Sequence, residues 1–227
     1  MKDTAAVIVA GGKGLRYGGR VRKQYLLLGG RPMVWWSLAA FEKCPSIAAI
    51  VLVVPTEDVP TVRQRVRRWK MKKLIAVVSG GPTRAASVRR GLSSIPSGCR
   101  YVAVHDAVRP LARPALIESV IRAARKGGAA LAAYPSKDTV KLANARGVVV
   151  SSPPRKSVWL AQTPQIFERR LLLRAHKKGE RLSVTDDAQL VERLGARVKL
   201  VESPSDNIKV TVPLDFVLAR KILEERS

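Results

Sequence analysis

Cysteine and histidine are scarce in this chain, which contains two of each among its 227 residues. The separation of Cys44 from Cys99 matches neither the paired spacing of a zinc site nor a disulfide framework, so we expect two reduced thiols in a cytoplasmic protein. His105 and His176 are the only imidazoles. This scarcity disfavours disulfide-rich secreted modules and enzymes whose centre is a Ser-His-Asp or Cys-His arrangement.

Long hydrophobic runs are also absent. No apolar run approaches the roughly 20 residues that a membrane-spanning helix needs, so we expect no membrane partner. The apolar run near the N-terminus is short and lacks a small-residue cleavage site, and it does not predict a secretory signal. The hydrophobic content of 46% is enough for a core, and the length predicts a single α/β domain over residues 1–227.

Acidic residues are few, with 17 Asp and Glu against 42 Lys and Arg, which gives a net charge of +25. Such a field attracts anions but does not select among nucleotides, nucleic acids and acidic membranes. Residues 63–73, RQRVRRWKMKK, contain seven basic side chains and are the best candidate for nucleic-acid contact. The aromatic content of 5% is poor for base stacking, so we interpret this segment as a solvated helix face and expect no functional nucleic-acid partner.

The most informative stretch is a glycine-rich loop after a short apolar run, VAGGKGLRYGGRVRKQY at residues 9–25. Glycines leave backbone N–H groups open to a ligand, and the interleaved Lys and Arg supply positive charge. It is not a Walker A loop, because Gly14 follows Lys13 where Ser or Thr is required. It also lacks the dinucleotide fingerprint, since Tyr17 occupies the third glycine position and no acidic residue lies between Gly14 and Glu42. The loop favours a nucleoside triphosphate site, with a flexible solvated loop as the alternative.

Apolar runs of strand length alternate with helical patterns through most of the chain. Strands are predicted at residues 5–10, 48–54, 74–79, 101–105, 129–134 and 197–202, and helices at 32–43, 57–70, 83–95, 114–127, 168–178, 185–194 and 213–225. This alternation predicts an α/β, Rossmann-like, mostly parallel twisted sheet with helices on both faces. Right-handed crossovers place the loops that follow the strands along one edge, where open sheets bind ligands.

The alternation breaks between residues 136 and 157. Two short β-like segments, 139–142 and 147–151, predict a β-hairpin inserted into the domain. An isolated hairpin is only marginally stable in water, so we expect this arm to pack on its own domain or on a second subunit.

Several residues with chemical potential follow predicted strands. Arg84 lies in GGPTRAAS at residues 80–87, where a strand leads into a helix. Asp106 ends a strand and could hold Mg²⁺ or a ribose hydroxyl, while the nearby Arg109 could pair with it or with a phosphate. His105 is interpreted as structural, because neighbouring residues in a strand point to opposite faces. Thr185 is predicted to be the N-cap of its helix, with a ligand role as the alternative.

Taken together, these segments resemble the 2-C-methyl-D-erythritol 4-phosphate cytidylyltransferase family of the non-mevalonate isoprenoid pathway. The matching motifs occur in the family's order and are AGGKGLR (10–16), KQY (23–25), GGPTRAASV (80–88), HDAVRP (105–110), KDTVK (137–141), RKSVWLAQTPQIF (155–167), TDDAQLVE (185–192) and DNIKVT (206–211). Three positions depart from the pattern: Arg22 replaces a usual proline, Pro82 an often acidic residue, and Gly11 a common alanine.

The resemblance implies that the phosphate of a methylerythritol phosphate attacks the α-phosphorus of CTP and releases pyrophosphate. It assigns catalysis to Arg16, Lys23, Arg155 and Lys209, nucleotide contacts to Ala10, Gly11, Gly12, Gly14, Gly81, Arg84 and Ser87, and substrate contacts to Asp106, Arg109, Thr139, Thr163 and Thr185. It also implies Mg²⁺ on the triphosphate with Asp106 as its protein ligand. Finally, it implies a homodimer in which the 136–157 arm carries Thr139 and Arg155 into the partner's site.

Two alternatives remain open from the sequence. A ribitol-5-phosphate cytidylyltransferase would share the fold and chemistry, although the TDD of residues 185–187 and the R-x-x-x-W of residues 155–159 favour the methylerythritol enzyme. A non-catalytic, basic nucleic-acid-binding module is the alternative from another class, and the low aromatic content argues against it.

Overall fold

The computed structural model describes residues 1–12, 22–180 and 182–226. The strands are β1 (Thr4–Val9), β2 (Leu27–Leu28), β3 (Arg31–Pro32), β4 (Ile47–Val54), β5 (Leu74–Ser79), β6 (Tyr101–Asp106), β7 (Ala129–Pro135), β8 (Leu142–Ala143), β9 (Val149–Ser151), β10 (Trp159–Glu168) and β11 (Lys199–Glu202). The α-helices are α1 (Met33–Lys43), α2 (Val59–Arg67), α3 (Arg84–Leu92), α4 (Pro114–Gly127), α5 (Arg169–Lys178), α6 (Asp187–Glu192) and α7 (Pro213–Glu225), and single 3₁₀ turns form at Lys23–Tyr25, Thr56–Asp58 and Arg155–Ser157.

Seven of these strands form the central sheet, in the order β11-β7-β10-β6-β1-β4-β5. Strand β10 runs antiparallel to both of its neighbours, and every other pair in the sheet is parallel. The prediction of a mostly parallel, Rossmann-like sheet is therefore confirmed. The carboxyl ends of β1, β4, β5 and β6 share one edge, because these four strands are mutually parallel.

Strand β10 was missed in the sequence. Its first six residues, WLAQTP, mix polar residues with Pro164, and proline argues against an inner strand because it cannot donate to the ladder. The fold accommodates this segment by shifting the register against β7 between Ala161 and Gln165. An internal strand therefore forms without the continuous apolar pattern of its neighbours.

The core lies on both faces of the sheet, as predicted. Strand β4 reads IAAIVLVV and is buried almost throughout, which is typical of a parallel strand covered on both sides. Side chains of α1, α2 and α4 pack on one face, and those of α3, α5 and α6 pack on the other. A third, smaller cluster joins α7 to Leu28, Met33 and Leu111.

The start of α6 corrects one prediction. Thr185 is not the N-cap; the cap is Asp186, whose carboxylate accepts a hydrogen bond from the Gln189 N–H at 3.0 Å. Thr185 is exposed, and its hydroxyl oxygen accepts from the Gln189 side chain at 2.6 Å. The helix begins later than predicted because Asp186 caps it, and Asp187, at the first helical position, is buried.

The predicted hairpin is present but shorter than expected, with β8 and β9 paired antiparallel. Residues 141–152 are all exposed. Leu142, Val148, Val149 and Val150 are each more than half exposed, so the described residues of this chain leave the apolar side chains of the arm uncovered. None of the helices in the described part of the chain combines the length and apolarity that a membrane crossing requires.

Candidate active site

A cleft of about 610 Å³ opens at the carboxyl edge of the sheet. It is lined by Val9, Ala10, Gly11, Gly12, Lys23, Gln24, Gly81, Pro82, Thr83, Arg84, Ser87, Asp106, Val108 and Lys209. These residues come from the segments that follow β1, β5 and β6 and from the segment before α7. The structure therefore brings together nine of the predicted site residues in one place, among them the catalytic candidates Lys23 and Lys209.

Two glycine-containing loops form one wall of the cleft and meet at Ser87. The Gly81 N–H donates to the Ser87 hydroxyl oxygen at 3.1 Å, and this hydroxyl donates to the Thr83 carbonyl at 3.0 Å. A side chain at Gly81 would place its Cβ 2.5 Å from the Cβ of Ala86, so only glycine fits this turn. A Cβ at Gly11 would lie 3.4 Å from the Ser87 oxygen. This close approach leaves a backbone-lined surface suited to a bulky anionic ligand.

Gln24 contributes to the site and was not predicted. Its side chain is almost fully buried and donates to the Ala10 carbonyl at 2.7 Å, which ties the turn that carries Lys23 to the end of β1. The signal for it was a polar residue in the KQY motif next to the catalytic candidate Lys23. Gln24 thus fixes the two ends of the glycine-rich loop relative to each other.

Arg22 anchors the same turn from outside. Its guanidinium forms ion pairs with Glu57 and Asp58, at the turn that precedes α2. The Tyr25 hydroxyl donates to Asp58 at 2.8 Å, and burial together with this hydrogen bond raises the pKa of Tyr25 far above its ordinary value. The residue that departs from the family pattern therefore connects the Lys23 turn to the neighbouring α2 segment.

Asp106 is the electrostatic centre of the cleft. It ends β6, and its carboxylate accepts from Arg84 Nε at 3.2 Å and from Lys209 Nζ at 2.7 Å. Burial disfavours the charged carboxylate, but the charges of Arg84 and Lys209 hold the pKa of Asp106 well below its ordinary value. The group is therefore a carboxylate at neutral pH and holds two cations that line the cleft.

The chain of charges continues behind Arg84. Its Nη1 donates to Asp187 Oδ2 at 2.6 Å, and Asp187 Oδ1 lies 2.9 Å from His176 Nε2. Asp187 and His176 are both almost completely buried and do not line the cleft. Local sequence gave no signal for this arrangement, because the partners come from α3, α5 and α6. Five groups thus form one line: Lys209, Asp106, Arg84, Asp187 and His176.

A second buried network supports Asp106 from below. The Asp106 N–H donates to the Thr163 hydroxyl oxygen at 3.1 Å, and that hydroxyl lies 3.0 Å from His105 Nδ1. Burial lowers the pKa of His105 to about 4, so the ring is neutral at pH 7. The hydroxyl proton then points to Nδ1, and Nε2 donates to the Arg109 carbonyl at 3.2 Å. His105 has the structural environment that was predicted for it.

Two predicted substrate contacts belong to this supporting layer. Thr163 is buried beneath Asp106, and neither it nor Arg109 lines the cleft. The Arg109 guanidinium donates to the Asn207 carbonyl at 2.8 Å, two residues before Lys209, and burial lowers the pKa of Arg109. In this structure both residues contact the protein segments that place Asp106 and Lys209.

Other predicted site residues lie away from the cleft or outside the description. Thr139 and Arg155 are exposed on the arm, and Arg155 Nη1 lies 3.4 Å from the Lys137 carbonyl. Thr185 is exposed at the start of α6 and does not line the cleft. Gly14 and Arg16 lie outside the described residues.

The acidic side chains of the site bear on the metal prediction. Within the described ranges, no group of three or more His, Cys, Asp or Glu is placed to hold a metal ion. Asp106 is the one carboxylate among the described residues that line the cleft. A cation here would therefore need most of its ligands from a bound substrate.

Comparison with known proteins places this geometry in a family. The pattern of the 2-C-methyl-D-erythritol 4-phosphate cytidylyltransferases matches residues 4–225. The enzyme of that name from Desulforamulus reducens is 43% identical over an alignment of 230 residues, which covers 100% of this chain and 98% of the relative.

Solved structures agree. The 4-diphosphocytidyl-2C-methyl-D-erythritol synthase of Anaerococcus prevotii superposes with a TM-score of 0.87 at 32% identity, over 98% of this chain and 99% of that one. The 2-C-methyl-D-erythritol 4-phosphate cytidylyltransferase of Thermus thermophilus gives a TM-score of 0.77 at 35% identity, over 99% and 100%. The chain belongs to the 2-C-methyl-D-erythritol 4-phosphate cytidylyltransferase family.

Proposed function

We propose that this protein transfers the cytidylyl group of CTP to 2-C-methyl-D-erythritol 4-phosphate and releases pyrophosphate. An oxygen of the substrate phosphate attacks the α-phosphorus of CTP, and the bond from that phosphorus to the oxygen bridging to the β-phosphate breaks. The bond electrons leave with pyrophosphate. The observation that carries the proposal is the single cleft in which glycine backbone, Lys23, Arg84 and Lys209 meet around Asp106.

Such a reaction needs positioning and positive charge more than a protein nucleophile. The segment around Ala10, Gly11 and Gly12 and the turn at Gly81 and Ser87 offer backbone and hydroxyl groups to the nucleotide. Gly14 is proposed to continue this contact. Together they hold CTP so that its α-phosphorus is fixed relative to the attacking phosphate.

The cations have distinct proposed tasks. Lys23 and Arg16 stabilise the charge that develops on the phosphoryl group and on the departing pyrophosphate. Lys209 holds the phosphate of the second substrate. The side chain of Lys209 is 41% exposed and pairs with Asp106, so an incoming phosphate can compete for its ammonium group.

Magnesium is proposed as the cofactor. Mg²⁺ commonly takes one or two protein carboxylates and completes its shell with substrate phosphates and water, and the single carboxylate of Asp106 fits that donor set. When bound, the ion would neutralise charge on the triphosphate. Asp106 would then share its oxygens between the ion and the two cations that it now holds.

A homodimer is proposed to complete the site through the 136–157 arm. Thr139 and Arg155 are exposed and outside the cleft of their own chain, and the apolar side chains of the arm are uncovered. Exposed apolar patches of this kind commonly mark protein interfaces. In the proposed dimer, Thr139 and Arg155 reach the second substrate in the partner's cleft. Arg109, which does not line the cleft, supports that site through the segment that carries Lys209. The cytoplasmic location stays a prediction from the sequence.

The two alternatives are less well supported. Membership of the family favours methylerythritol phosphate over ribitol phosphate as the acceptor. For the nucleic-acid module, two of the basic side chains at residues 63–73 serve the fold: Arg63 donates to the Val77 carbonyl at 3.1 Å, and Lys73 to the Cys44 carbonyl at 2.6 Å.

The test is pyrophosphate release from CTP and Mg²⁺ with each polyol phosphate in turn. We expect release with the methylerythritol compound and not with the ribitol compound. Release with ribitol phosphate alone would overturn the proposed acceptor. An absence of turnover with both, together with salt-sensitive binding to RNA, would instead support the binding module.

A further inference from the structure

Asp187 is a buried carboxylate outside the cleft, yet it contacts a cation that lines the cleft. Its side chain is 1% exposed, and each of its oxygens has a partner: Oδ2 accepts from Arg84 and Oδ1 from His176. Removing a carboxylate from water is costly unless it is paired and hydrogen-bonded. Here both requirements are met, and the cation that meets one of them lies at the edge of the proposed nucleotide site.

Arg84 and Lys209 share Asp106 but are held very differently. Arg84 lies between two carboxylates, at 3.2 Å from Asp106 and 2.6 Å from Asp187, and its side chain is 26% exposed. Lys209 pairs with Asp106 from the open side, and its side chain is 41% exposed. A planar guanidinium gripped at two of its nitrogens has little freedom to turn, whereas an ammonium group on a long aliphatic chain does.

His176 orients the buried end of this line. Its Nε2 donates to Asp187 Oδ1, and its Nδ1 has no hydrogen-bond partner among the described residues. The imidazole therefore fixes the plane of the Asp187 carboxylate and leaves Oδ2 directed at Arg84. The second contact matters because a carboxylate held by Arg84 alone could rotate about its Cβ–Cγ bond.

We propose that Asp187, oriented by His176, is a positioning residue that holds Arg84 in place for the nucleotide, and that this fixed cation complements the movable Lys209. The inference rests on the proposed function for the identity of the nucleotide. The fixed position of Arg84 is a property of the protein alone.

Asp187→Asn is the first test. The substitution keeps the shape but removes the charge that grips Arg84, so the KM for CTP should rise about tenfold, as expected for one weakened charge-assisted contact. The KM for methylerythritol phosphate and kcat should stay within about threefold, because Arg84 binds substrate and transition state alike. A merely structural lesion would lower the active fraction, and hence kcat, with both KM values unchanged.

A matched control is another carboxylate that pairs with an arginine of α3, the helix that begins at Arg84. Arg89 of α3 pairs with Glu180 at 3.7 Å at the surface, away from the cleft. Glu180→Gln should leave both KM values unchanged. An Asp187→Asn enzyme that behaves like Glu180→Gln would overturn the proposal.

His176 supplies a second pair of variants. Glutamine can place its amide nitrogen near the position of Nε2 and donate to Asp187, whereas leucine cannot. His176→Leu should therefore raise the KM for CTP in the direction of Asp187→Asn, and His176→Gln should restore it in part. Equal KM values for the two variants would show that the hydrogen bond does not orient Asp187.

A readout without turnover separates this inference from the proposed reaction. The Nη1–H signal of Arg84 reports directly on the contact with Asp187 and is assigned by its loss in Arg84→Lys. It should exchange slowly with solvent in the unmodified protein and in Glu180→Gln. It should broaden or exchange quickly in Asp187→Asn. Slow exchange in all three would overturn the positioning role even if CTP is the substrate, and loss in Asp187→Asn would support it even if the proposed acceptor is wrong.

Discussion

The cleft wall and the arm are built on opposite principles. The wall consists here of the groups that line the cleft and of the buried groups that support them, and it includes Asp106 and Asp187. Both carboxylates are buried, and each has partners from other elements of the same chain. On the arm, residues 141–152 are exposed and the apolar side chains have no cover within the described parts of the chain. The wall is therefore prearranged within one chain, whereas in the proposed dimer the arm would complete the site of a second copy.

Lys209→Ala should have the largest effect and tests the wall. It removes one cation from Asp106 and from the proposed phosphate site, so kcat/KM should fall on the order of 100- to 1000-fold, the usual loss for one well-placed charge donor. The partly exposed side chain can be truncated without opening the core, so the melting temperature should change little. Steady-state kinetics measures kcat/KM, and thermal unfolding followed by circular dichroism measures the melting temperature.

Lys221→Ala, at an exposed position of α7, is the control for Lys209→Ala and should leave kcat/KM unchanged. Unfolding of the Lys209→Ala protein would mean that the lysine is part of the scaffold. Activity within a few-fold of the parent would remove Lys209 from the proposed mechanism.

Arg155→Ala tests the arm, and complementation tells whether the arm acts across subunits. The variant should be nearly inactive but folded, because Arg155 is exposed. In the proposed dimer, coexpression with Lys209→Ala at equal levels makes half of the dimers mixed, and each mixed dimer has one site with both cations. About one quarter of the parental activity should then return, as two-fold symmetry requires.

No recovery on mixing, with dimers confirmed by sedimentation, would show that Arg155 does not act in the partner's cleft. A fully active monomer would reject the shared site altogether. Either result would mean that the arm does not carry Arg155 into the cleft of a second subunit.

Features of the fold that depend on local sequence could be predicted, whereas features that depend on distant partners could not. Strand β5 begins and ends at the predicted residues, because an apolar run bounded by polar turns is a local signal. The catalytic edge followed from the alternation of strands and helices. The sequence also pointed to the arm as an interruption of that alternation, but its exposed apolar residues carry no information about the surface that covers them.

Other features depend on partners far apart in the chain and had no local signal. Arg84 and Asp187 are 103 positions apart, so neither the pattern around Arg84 nor that around Asp187 predicts their contact. The sequence marked Arg22 only as a departure from the family pattern, because its ion-pair partners Glu57 and Asp58 lie far along the chain. Strand β10 was hidden because its polar residues and Pro164 form a locally shifted ladder.

The wall should also be the part of the molecule that responds to acid. Burial lowers the pKa of His105 to about 4 from an ordinary 6.5. The unfolded chain therefore binds a proton at His105 more readily than the folded protein does. The contribution of the neutral ring to the free energy of unfolding is complete above pH 6.5 and is lost as the pH falls toward 4. The free energy of unfolding should decrease by about 3 kcal/mol over that window.

Urea unfolding at pH 7.0 and 4.5 measures the loss of stability, and the ring signals of His105 in an NMR titration assign it. A His105 ring that protonates near pH 6.5 in the folded protein would contradict the buried neutral state. The free energy of unfolding would then be nearly independent of this group.

The smallest expected effect concerns Arg22, at the border between the rigid wall and the glycine-rich loop. Its backbone φ is −62°, the value that a proline ring fixes, and its side chain is held by ion pairs at the surface. Arg22→Ala should lower kcat/KM a few-fold, because exposed pairs contribute about 0–1 kcal/mol. Arg22→Pro should keep the activity of the parent, since the ring restricts φ without the ion pairs.

Salt gives a further test of the Arg22 ion pairs. The difference in kcat/KM between Arg22→Ala and the parent should shrink in 0.5 M NaCl, where the parent's ion pairs are screened. An Arg22→Ala enzyme that is fully active at low salt would show that these pairs do not help to position Lys23, and the rigid wall would then end at Gln24.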